Sequence, residues 1–309
     1  MKCVVFGGGG FIGSTIVDRL LVAGHSVRIF ERPRVAPYRL FSETEKVEWM
    51  TGDFLSIHDI SSALEGMDTV IHLVSFTLPK TSNDDLIYDV QTNLIATIQL
   101  LNSMLAMKVN KIVFISSGGT VYGVPRYIPV DEDHPTDPVV SYGITKLAIE
   151  KYLLMFKILH GMKVLILRVA NPYGPRQRVE TAQGAVAAFF HRSLQNQKIE
   201  IWGDGSITRD YIYIDDVAEA FLRAVEYSGD LSVFNISSGI GTSLNELAEL
   251  IGKSIGRQLD CTYLEKRPFD VPTSILNNNL AATHLGWVPK TVLQYGLAKT
   301  AEWLRNNSN

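Results

Sequence analysis

In the first half of the chain, short apolar runs alternate with longer segments in which apolar residues recur at helical spacing. The runs near residues 70, 112 and 164 are almost uninterrupted, as expected of parallel strands covered on both faces. The predicted strands are Lys2–Phe6, Val27–Phe30, Val47–Met50, Thr69–Val74, Lys111–Ser116, Lys163–Arg168 and Val233–Ile236. The predicted helices are Ser14–Ala23, Ile57–Leu64, Ile87–Met107 and Tyr142–Leu159. This alternation predicts an α/β fold with a doubly wound parallel sheet.

After Arg168 the regular alternation stops. The segment Asn171-Pro-Tyr-Gly-Pro175 is rich in turn residues, and the rest of the chain combines helices with a few short strands. We therefore expect two parts, with the ligand cleft between them. The larger is a Rossmann-type domain formed by residues 1–168 plus about 210–236, and the smaller is a discontinuous α/β lobe formed by 169–209 plus 237–309.

The composition is that of an ordinary globular protein, with 46% of the 309 residues hydrophobic and 20% charged. A net charge of −3, without a basic stripe, gives no electrostatic basis for binding nucleic acid. No uncharged apolar run reaches the ~18–20 residues of a membrane span, and Val4-Val5-Phe6 is too short an apolar core for a signal peptide. Cys3 and Cys261 are far apart, and the seven histidines form no metal-type pair. These features predict a cytoplasmic protein that binds neither metal nor membrane.

A glycine-rich segment, Phe6-Gly-Gly-Gly-Gly-Phe-Ile-Gly13, lies between the first predicted strand and a helix. Gly7, Gly10 and Gly13 fit one spacing of dinucleotide-binding turns, while Gly8, Gly10 and Gly13 fit another. Either spacing gives a tight turn, brings the backbone close to a pyrophosphate and packs the helix against the strand. The sequence therefore predicts a dinucleotide site at this turn.

The choice of dinucleotide depends on the residues that follow the second predicted strand. Glu31 ends that strand eighteen residues after Gly13, where a carboxylate accepts hydrogen bonds from ribose hydroxyls and repels a 2′-phosphate. Arg32 and Arg34 follow, and their guanidinium groups could instead pair with a 2′-phosphate or stack on adenine. NAD is the favoured cofactor. Asp53 is a candidate acceptor for the adenine amino group, or a plain turn or helix-cap aspartate.

The segment Ser141-Tyr-Gly-Ile-Thr-Lys146 places Tyr142 and Lys146 one helical turn apart on the same face. A lysine ammonium favours the phenolate, so a tyrosine with an ordinary pKa of ~10 can act as a base near neutral pH. Combined with the dinucleotide turn, this pair predicts hydride transfer on an alcohol or a ketone.

Further motifs accompany these two: Ser116-Ser-Gly-Gly-Thr-Val-Tyr-Gly123, Asn171-Pro-Tyr-Gly174, Arg209-Asp-Tyr-Ile212 and Arg267-Pro-Phe-Asp270. With them, nearly the whole chain resembles the extended short-chain dehydrogenase/reductase family, in particular its nucleotide-sugar epimerase branch, typified by UDP-glucose 4-epimerase. The resemblance implies NAD-dependent 4-epimerisation of a UDP-hexose through a 4-keto intermediate. It assigns NAD to the larger domain and the UDP-sugar to the smaller lobe.

The resemblance also implies the roles of the reacting groups. Tyr142 would take the proton of the sugar hydroxyl, and Lys146 would bind the nicotinamide ribose. A Ser or Thr after the fifth strand would hydrogen-bond the same sugar oxygen. Its usual position holds Gly118 here, so Ser117 is the first candidate and Thr120 the second. Ser117 could also simply cap the end of the strand.

The remaining implied ligand contacts fall into two groups. The cofactor site would also include Phe11, Ile12, Phe54, Leu73 and Asn93. The sugar nucleotide would contact Asn171, Trp202, Arg209, Arg267, Asp270 and Ser274. Arg209 and Arg267 would clamp the diphosphate, because guanidinium groups bind phosphate in a bidentate way. Ser274 occupies a position where a small side chain admits an N-acetyl group on the sugar.

Other functions remain open at this stage. The related 4,6-dehydratases carry an Asp-Glu pair where this chain has Gly118-Gly119, which disfavours dehydration. A nucleotide-sugar 4-reductase, a UDP-glucuronate decarboxylase and a dinucleotide-sensing binding protein are the alternatives. The resemblance further implies a homodimer formed by the two long helices, Ile87–Met107 and Tyr142–Leu159. Asp215 and Asp216 are expected to cap a helix over Val217–Val225.

Overall fold

A computed structural model describes residues 1–178, 184–266 and 271–307. In this part of the chain, seven parallel strands form a central sheet in the order β10-β6-β5-β4-β1-β2-β3. Its strands are β1 (Lys2–Phe6), β2 (Ser26–Glu31), β3 (Val47–Thr51), β4 (Thr69–His72), β5 (Lys111–Ser117), β6 (Lys163–Val169) and β10 (Val233–Ile236). The strand order reverses between β1 and β4, which creates the crevice where open α/β sheets bind ligands.

Helices cover both faces of the central sheet. They are α1 (Phe11–Val22), α2 (Ile57–Leu64), α3 (Leu86–Asp89), a π-helical segment (Val90–Ile95), α4 (Ala96–Ala106), α5 (Ser141–His160) and α7 (Ile214–Glu226). Alternate residues of each strand enter two different cores: one core contains Val5 with side chains of α1 and α7, and the other contains Val4 with side chains of α2, α4 and α5. Because both faces of the inner strands are buried, these strands are largely apolar, and the fold class predicted from the sequence is confirmed.

The second half of the described chain adds two small sheets and more helices. Strand β9 (Thr208–Tyr213) pairs with β7 (Asn171–Tyr173), β11 (Gly241–Ser243) and β13 (Thr273–Ser274). Strands β8 (Ile199–Trp202) and β12 (Cys261–Leu264) form a separate parallel pair. The helices are α6 (Ala185–Leu194), α8 (Leu244–Ile255), α9 (Asn279–Leu285) and α10 (Leu293–Asn307). Over the described ranges, no helix has both the length and the apolar composition that crossing a membrane requires.

One sequence expectation about local structure was wrong. Asp216 lies in the first turn of α7, but neither it nor Asp215 caps the helix, since the N-cap is Tyr213 without a side-chain hydrogen bond. The Asp216 carboxylate instead accepts hydrogen bonds from the backbone N–H groups of Lys290 (3.1 Å) and Thr291 (2.9 Å). It therefore ties α7 to a distant segment that local spacing cannot reveal.

A buried ionic network joins α5 to the central sheet. The Glu150 carboxylate on α5 accepts hydrogen bonds from Nε and Nη2 of Arg168 on β6, with Nη2 at 2.7 Å, and from the Ser116 hydroxyl on β5. The side chains of Glu150 and Arg168 are 1% and 6% exposed. Arg168 also donates to the Tyr122 hydroxyl (2.9 Å), which donates to Asn235 on β10 (2.7 Å). All these groups have partners, as buried charges require.

We expect Glu150→Gln to lower the free energy of unfolding by about 3–5 kcal/mol, because it leaves the Arg168 guanidinium buried without its counter-charge. Urea denaturation of the two proteins measures this difference. The matched control is Glu249→Gln, which breaks the exposed pair between Glu249 and Lys253 (2.6 Å) and should change stability little. Equal, small effects of the two substitutions would contradict a structural role for the network.

Candidate functional site

The turn between β1 and α1 has the geometry of a dinucleotide cradle. Gly7 has a φ of +88°, a conformation that favours glycine. A Cβ at Gly13 would lie 2.1 Å from the Gly7 carbonyl oxygen, so α1 packs directly against the turn. Helix α1 begins at Phe11 with Gly10 as N-cap, no side-chain cap and no acidic residue in its first turn. Its N-terminus is therefore suited to bind a phosphate group.

Glu31 lies beside this turn, as the sequence predicts for a residue that binds ribose. Its carboxylate is 8% exposed and accepts hydrogen bonds from the backbone N–H groups of Gly9 (2.9 Å) and Arg32 (3.2 Å). The side chains of Arg32 and Arg34 are exposed. The cradle that glycines keep open, the uncapped helix N-terminus and the carboxylate at the end of β2 together fit NAD.

The other predicted cofactor contacts surround the same edge of the sheet. Leu73 follows β4, donates its backbone N–H to the Phe6 carbonyl (3.1 Å) and lies against Gly7. Phe54 is buried, and its ring packs against Phe6 at a centroid distance of 5.4 Å. Asp53 is exposed, and its carboxylate accepts from the Leu55 N–H (2.9 Å), which is the turn geometry that the sequence left as an alternative. Its contact with adenine stays a prediction.

Tyr142 and Lys146 occupy the first two turns of α5 and face the end of β5. The Lys146 Nζ donates to the carbonyl oxygen of Ile115 (3.1 Å) and lies 5.6 Å from the centre of the Tyr142 ring. It also lies 4.7 Å from the centre of the Phe114 ring. The Lys146 side chain is buried, whereas Tyr142 is half-buried. The structure thus brings together the two residues that the sequence pairs through helical spacing.

The protein groups around this pair shift both pKa values. Burial lowers the pKa of Lys146 to about 8, although the nearby charges of Asp89 and Glu150 oppose the change. Burial, assisted by the charge of Asp89, raises the pKa of Tyr142 to about 12. The expected lowering of the tyrosine pKa is therefore not produced by the protein groups alone. The family resemblance implies that the positive charge of an oxidised nicotinamide would contribute to lowering the pKa of Tyr142.

The residues after β5 distinguish the two candidate hydroxyl groups. Ser117 is half-buried and ends β5, and its backbone carbonyl accepts from the N–H of Thr120 (3.3 Å). The Thr120 hydroxyl is buried and has no hydrogen-bond partner among the described residues. A Cβ at Gly118 would lie 2.3 Å from a methyl group of Leu276 and 3.0 Å from the Arg168 carbonyl oxygen. A side chain at Gly118 would therefore require Leu276 to shift.

The N-terminus of α5 is capped by residues that are distant in sequence. Its N-cap, Val140, makes no side-chain hydrogen bond. Instead, the Asn83 side-chain oxygen accepts from the Ser141 N–H (2.9 Å) and the Ser82 hydroxyl accepts from the Tyr142 N–H (3.0 Å). The loop after β4 thereby satisfies backbone groups that the helix itself leaves unpaired.

Asn93 lies in the π-helical segment and organises the same loop. Its Oδ1 accepts from the Phe76 N–H (2.9 Å), and its Nδ2 donates to Asp89 (3.0 Å) and to the Thr77 hydroxyl (3.1 Å). The Asp89 carboxylate in turn accepts from the Ser141 hydroxyl (2.6 Å). Asn93 therefore connects the loop after β4 to the start of α5 through Asp89.

The predicted sugar-nucleotide residues lie mainly on the sheet around β9. The Asn171 Nδ2 donates to the Asp210 carbonyl (2.8 Å), and Arg209 donates to the carbonyls of Thr208 (2.9 Å) and Val271 (2.7 Å). Ser274 is buried and is the register partner of Arg209. Trp202 ends β8, in the separate pair of strands. Arg267 and Asp270 lie outside the described residues.

Several residues around this site were not identified from the sequence. Ser82, Asn83 and Asp89 carry no motif, and their partners on α5 are more than fifty positions away. The Tyr211 hydroxyl, on the strand next to Asn171, is buried without a hydrogen-bond partner in the part of the chain that the structure covers. Within those same ranges, no group of three or more His, Cys, Asp and Glu side chains could hold a metal ion.

Comparison with known proteins identifies relatives over the whole chain. A family model described as the NAD dependent epimerase/dehydratase family matches residues 3–237. A UDP-glucose 4-epimerase of Mycolicibacterium smegmatis is 36% identical, with 100% of both chains covered. A dTDP-4-dehydro-6-deoxyglucose reductase of Escherichia coli is 32% identical, over 98% of this chain and 97% of the reductase. The crystal structure of UDP-glucose 4-epimerase with UDP-glucose from Thermotoga maritima superposes with a TM-score of 0.93 at 35% identity, and 100% of each chain is covered.

The tight packing at the glycine turn predicts a steric asymmetry between two of its glycines. Gly13→Ala should cost about 1–3 kcal/mol of stability, because its Cβ would overlap the Gly7 carbonyl oxygen. Gly10→Ala should cost less, because its Cβ would lie 3.5 Å from that oxygen and its backbone is extended. Urea denaturation of both variants without added ligand measures the difference. Equal losses would mean that the α1–turn contact does not constrain Gly13.

Proposed function

This chain belongs to the NAD-dependent epimerase/dehydratase family, and from that premise we propose that it interconverts a UDP-hexose and its C4 epimer. The observation that carries the proposal is the position of Tyr142 and Lys146 at the end of β5, in a fold with a dinucleotide cradle at the end of β1. Gly7, Gly10 and Gly13 with the N-terminus of α1 would hold the NAD pyrophosphate, and Glu31 its adenine ribose.

In this proposal, Tyr142 exchanges a proton with the C4 oxygen of the sugar. NAD, when bound, would supply a group that accepts the hydride and gives it back, so the reaction would have no net redox change. The protonated Lys146, 5.6 Å from the Tyr142 ring centre, would stabilise the phenolate and donate to the nicotinamide ribose. The Ser117 or Thr120 hydroxyl hydrogen-bonds the same sugar oxygen. Epimerisation further requires that the 4-keto sugar rotate before its other face is reduced.

The sugar nucleotide is proposed to bind through its diphosphate and base. Arg209 and Arg267 would bind the phosphates, Asp270 the nucleotide ribose and Trp202 the uracil, while Asn171 would contact the diphosphate. If most binding energy lies on the UDP, the hexose stays free to turn. The absence of an acidic pair supports epimerisation over dehydration, since Gly118-Gly119 offer no carboxyl groups to eliminate water.

The identity of the sugar depends on the residues beside its C2 substituent. Ser274 is small, so we propose that the site accepts UDP-N-acetylglucosamine as well as UDP-glucose. A nucleotide-sugar 4-reductase is the second candidate function, because a relative of that activity aligns with nearly the whole chain at 32% identity. It would use the same Tyr142 and Lys146 but would consume a reduced cofactor in every cycle.

We also propose that the protein is a homodimer, formed by α5 and the helical segment that ends with α4. Two rows of exposed apolar side chains support this arrangement, one on each segment: Ile144, Tyr152, Met155 and Leu159, and Ile87 and Ile95. The residues in each row are spaced so that they lie on one side of their helix. Apolar rows of this kind are typical of surfaces that become buried on association.

The first experiment is incubation of the purified protein with UDP-glucose and, separately, UDP-N-acetylglucosamine, followed by NMR of the anomeric protons. We expect the matching galacto sugar without loss of NADH or NADPH. Tyr142→Phe should reduce kcat at least about 100-fold, because the proton acceptor is lost. The matched control is Tyr152→Phe on the same helix, which should retain kcat.

Four results would overturn the proposal. Stoichiometric oxidation of NADPH would favour the reductase, and release of carbon dioxide from UDP-glucuronate would favour the decarboxylase. Unchanged turnover in Tyr142→Phe would exclude the mechanism in any of these enzymes. If NAD binds but no nucleotide sugar reacts, the dinucleotide-sensing alternative gains support.

The proposed dimer can be tested independently of activity. Ile95→Glu and Met155→Glu should each give monomers in analytical ultracentrifugation, since a buried charge opposes association. Ile240→Glu changes a residue that is 64% exposed, outside both helical segments, and should leave the dimer intact. A wild-type protein that sediments as a monomer at all concentrations would contradict this arrangement.

A further inference from the structure

The start of α5 rests on a carboxylate that has no exposure to solvent. Asp89 is 0% exposed, and its two oxygens accept hydrogen bonds from four neutral side chains. The donors are Thr77 Oγ1, Asn93 Nδ2 (3.0 Å), Ser141 Oγ (2.6 Å) and Thr145 Oγ1 (2.8 Å). Two of these side chains precede α4, and the other two lie in the first turns of α5. A single carboxylate thus connects both segments.

Asp89 differs from Glu150, the other buried carboxylate near Lys146, in that its charge is not paired with a cation in the described ranges. Glu150 is paired with the Arg168 guanidinium at 2.7 Å, which compensates most of its charge. In the described ranges, Asp89 has no ion pair, and its hydrogen-bond donors are neutral. His72, which also faces Lys146, is neutral near pH 7 because burial lowers its pKa to about 3. Among the charges that shift the pKa values of Tyr142 and Lys146, Asp89 therefore has the largest effect and, in the described ranges, no counter-charge.

We propose that Asp89 is a positioning residue that orients the first turns of α5 and sets the pH range over which Tyr142 and Lys146 act together. The proposal rests on the function proposed above for those two residues. Asp89 lies too deep to contact a substrate, so it acts through α5 and through its charge. The glycine turn and the tyrosine–lysine spacing predict neither the positioning of α5 by Asp89 nor its electrostatic effect.

The two electrostatic effects of Asp89 have the same sign. A nearby anion disfavours the Tyr142 phenolate and favours the Lys146 ammonium, so it raises the pKa of both groups. Removing the charge should therefore lower both values. Turnover that requires a deprotonated tyrosine and a protonated lysine gives a bell-shaped pH profile. Without the Asp89 charge, both limbs of that profile should move to lower pH.

Asp89→Asn tests this because it removes the charge and keeps the shape. The asparagine oxygen can accept from Thr77 and Asn93, while its NH₂ group can donate to the hydroxyl oxygens of Ser141 and Thr145 after these rotate. We expect both limbs of the kcat profile to shift downward by a few tenths to about one pH unit. A lower kcat with unshifted limbs would show a structural role only and would overturn the proposal.

A second readout does not depend on turnover. NMR titration of ¹³Cζ-labelled tyrosines, with Tyr142→Phe used to assign the signal, reports the pKa of Tyr142 directly in the purified protein. We expect a lower pKa in Asp89→Asn than in the wild type. If no nucleotide sugar reacts, this titration still tests the effect of Asp89 on the pKa of Tyr142. A failure of the Asp89 proposal can therefore be distinguished from a failure of the proposed function.

Thr145→Val is the matched control, because it removes one hydrogen bond to Asp89 and keeps the charge. It should lose stability without the downward shift of both limbs. If Asp89→Asn does not fold, Asp89→Ser takes its place in the same titration. An unchanged or higher Tyr142 pKa in the neutral variant that folds would overturn the proposal.

Discussion

The arrangement of the candidate site depends on how α5 is held against the sheet by buried charge. Glu150, in the middle of the helix, pairs with Arg168 on β6, and Asp89 accepts hydrogen bonds from Ser141 and Thr145 at its start. Two anchors on one helix fix its position along the sheet and its rotation. Tyr142 and Lys146 lie close to these anchors, which support the direction that the Lys146 hydrogen bond to Ile115 gives toward the end of β5.

A second constraint is steric and acts at the edge where the strands end. The contact between α1 and the glycine turn leaves no room for a Cβ at Gly13, and Leu276 packs closely over Gly118. The first contact lets the N-terminus of α1 approach a pyrophosphate. The second brings Leu276, two residues after β13, against the loop after β5. Asp210 contributes to the same junction, because its carboxylate accepts backbone N–H groups of Ser238 (2.9 Å) and Gly239 (3.0 Å).

The ionic network around Arg168 also connects α5 to the loop after β5. The Tyr122 hydroxyl links the Arg168 guanidinium to Asn235 on β10, and the Asn235 N–H donates to Glu132 in the loop after β5 (2.6 Å). The loop after β5, which carries Thr120, is thus fixed to the same ionic network as α5. A change in this network is therefore expected to shift that loop and α5 together.

Features that depend on local spacing and on steric limits could be predicted from the amino-acid sequence alone. Apolar runs predicted the seven strands of the main sheet, the glycine pattern predicted the turn before α1, and the helical period paired Tyr142 with Lys146. Each of these three features depends on residues that are close to one another in the sequence. The resemblance added Asn171, Arg209 and Ser274, which the structure brings to one sheet.

Which distant groups come into contact depends on the packing of the folded chain and could not be predicted from the sequence. The caps of α5 come from Ser82 and Asn83, 60 and 58 positions from their partners, and the partner of Glu150, Arg168, lies on β6. Asp216, which local spacing assigns to its own helix, binds residues more than seventy positions away. The pKa of Tyr142 likewise depends on contacts between residues that are distant in the sequence. Spacing predicts a lysine that lowers it, whereas burial and the charge of Asp89 raise it, because desolvation and long-range charge depend on packing that no local pattern encodes.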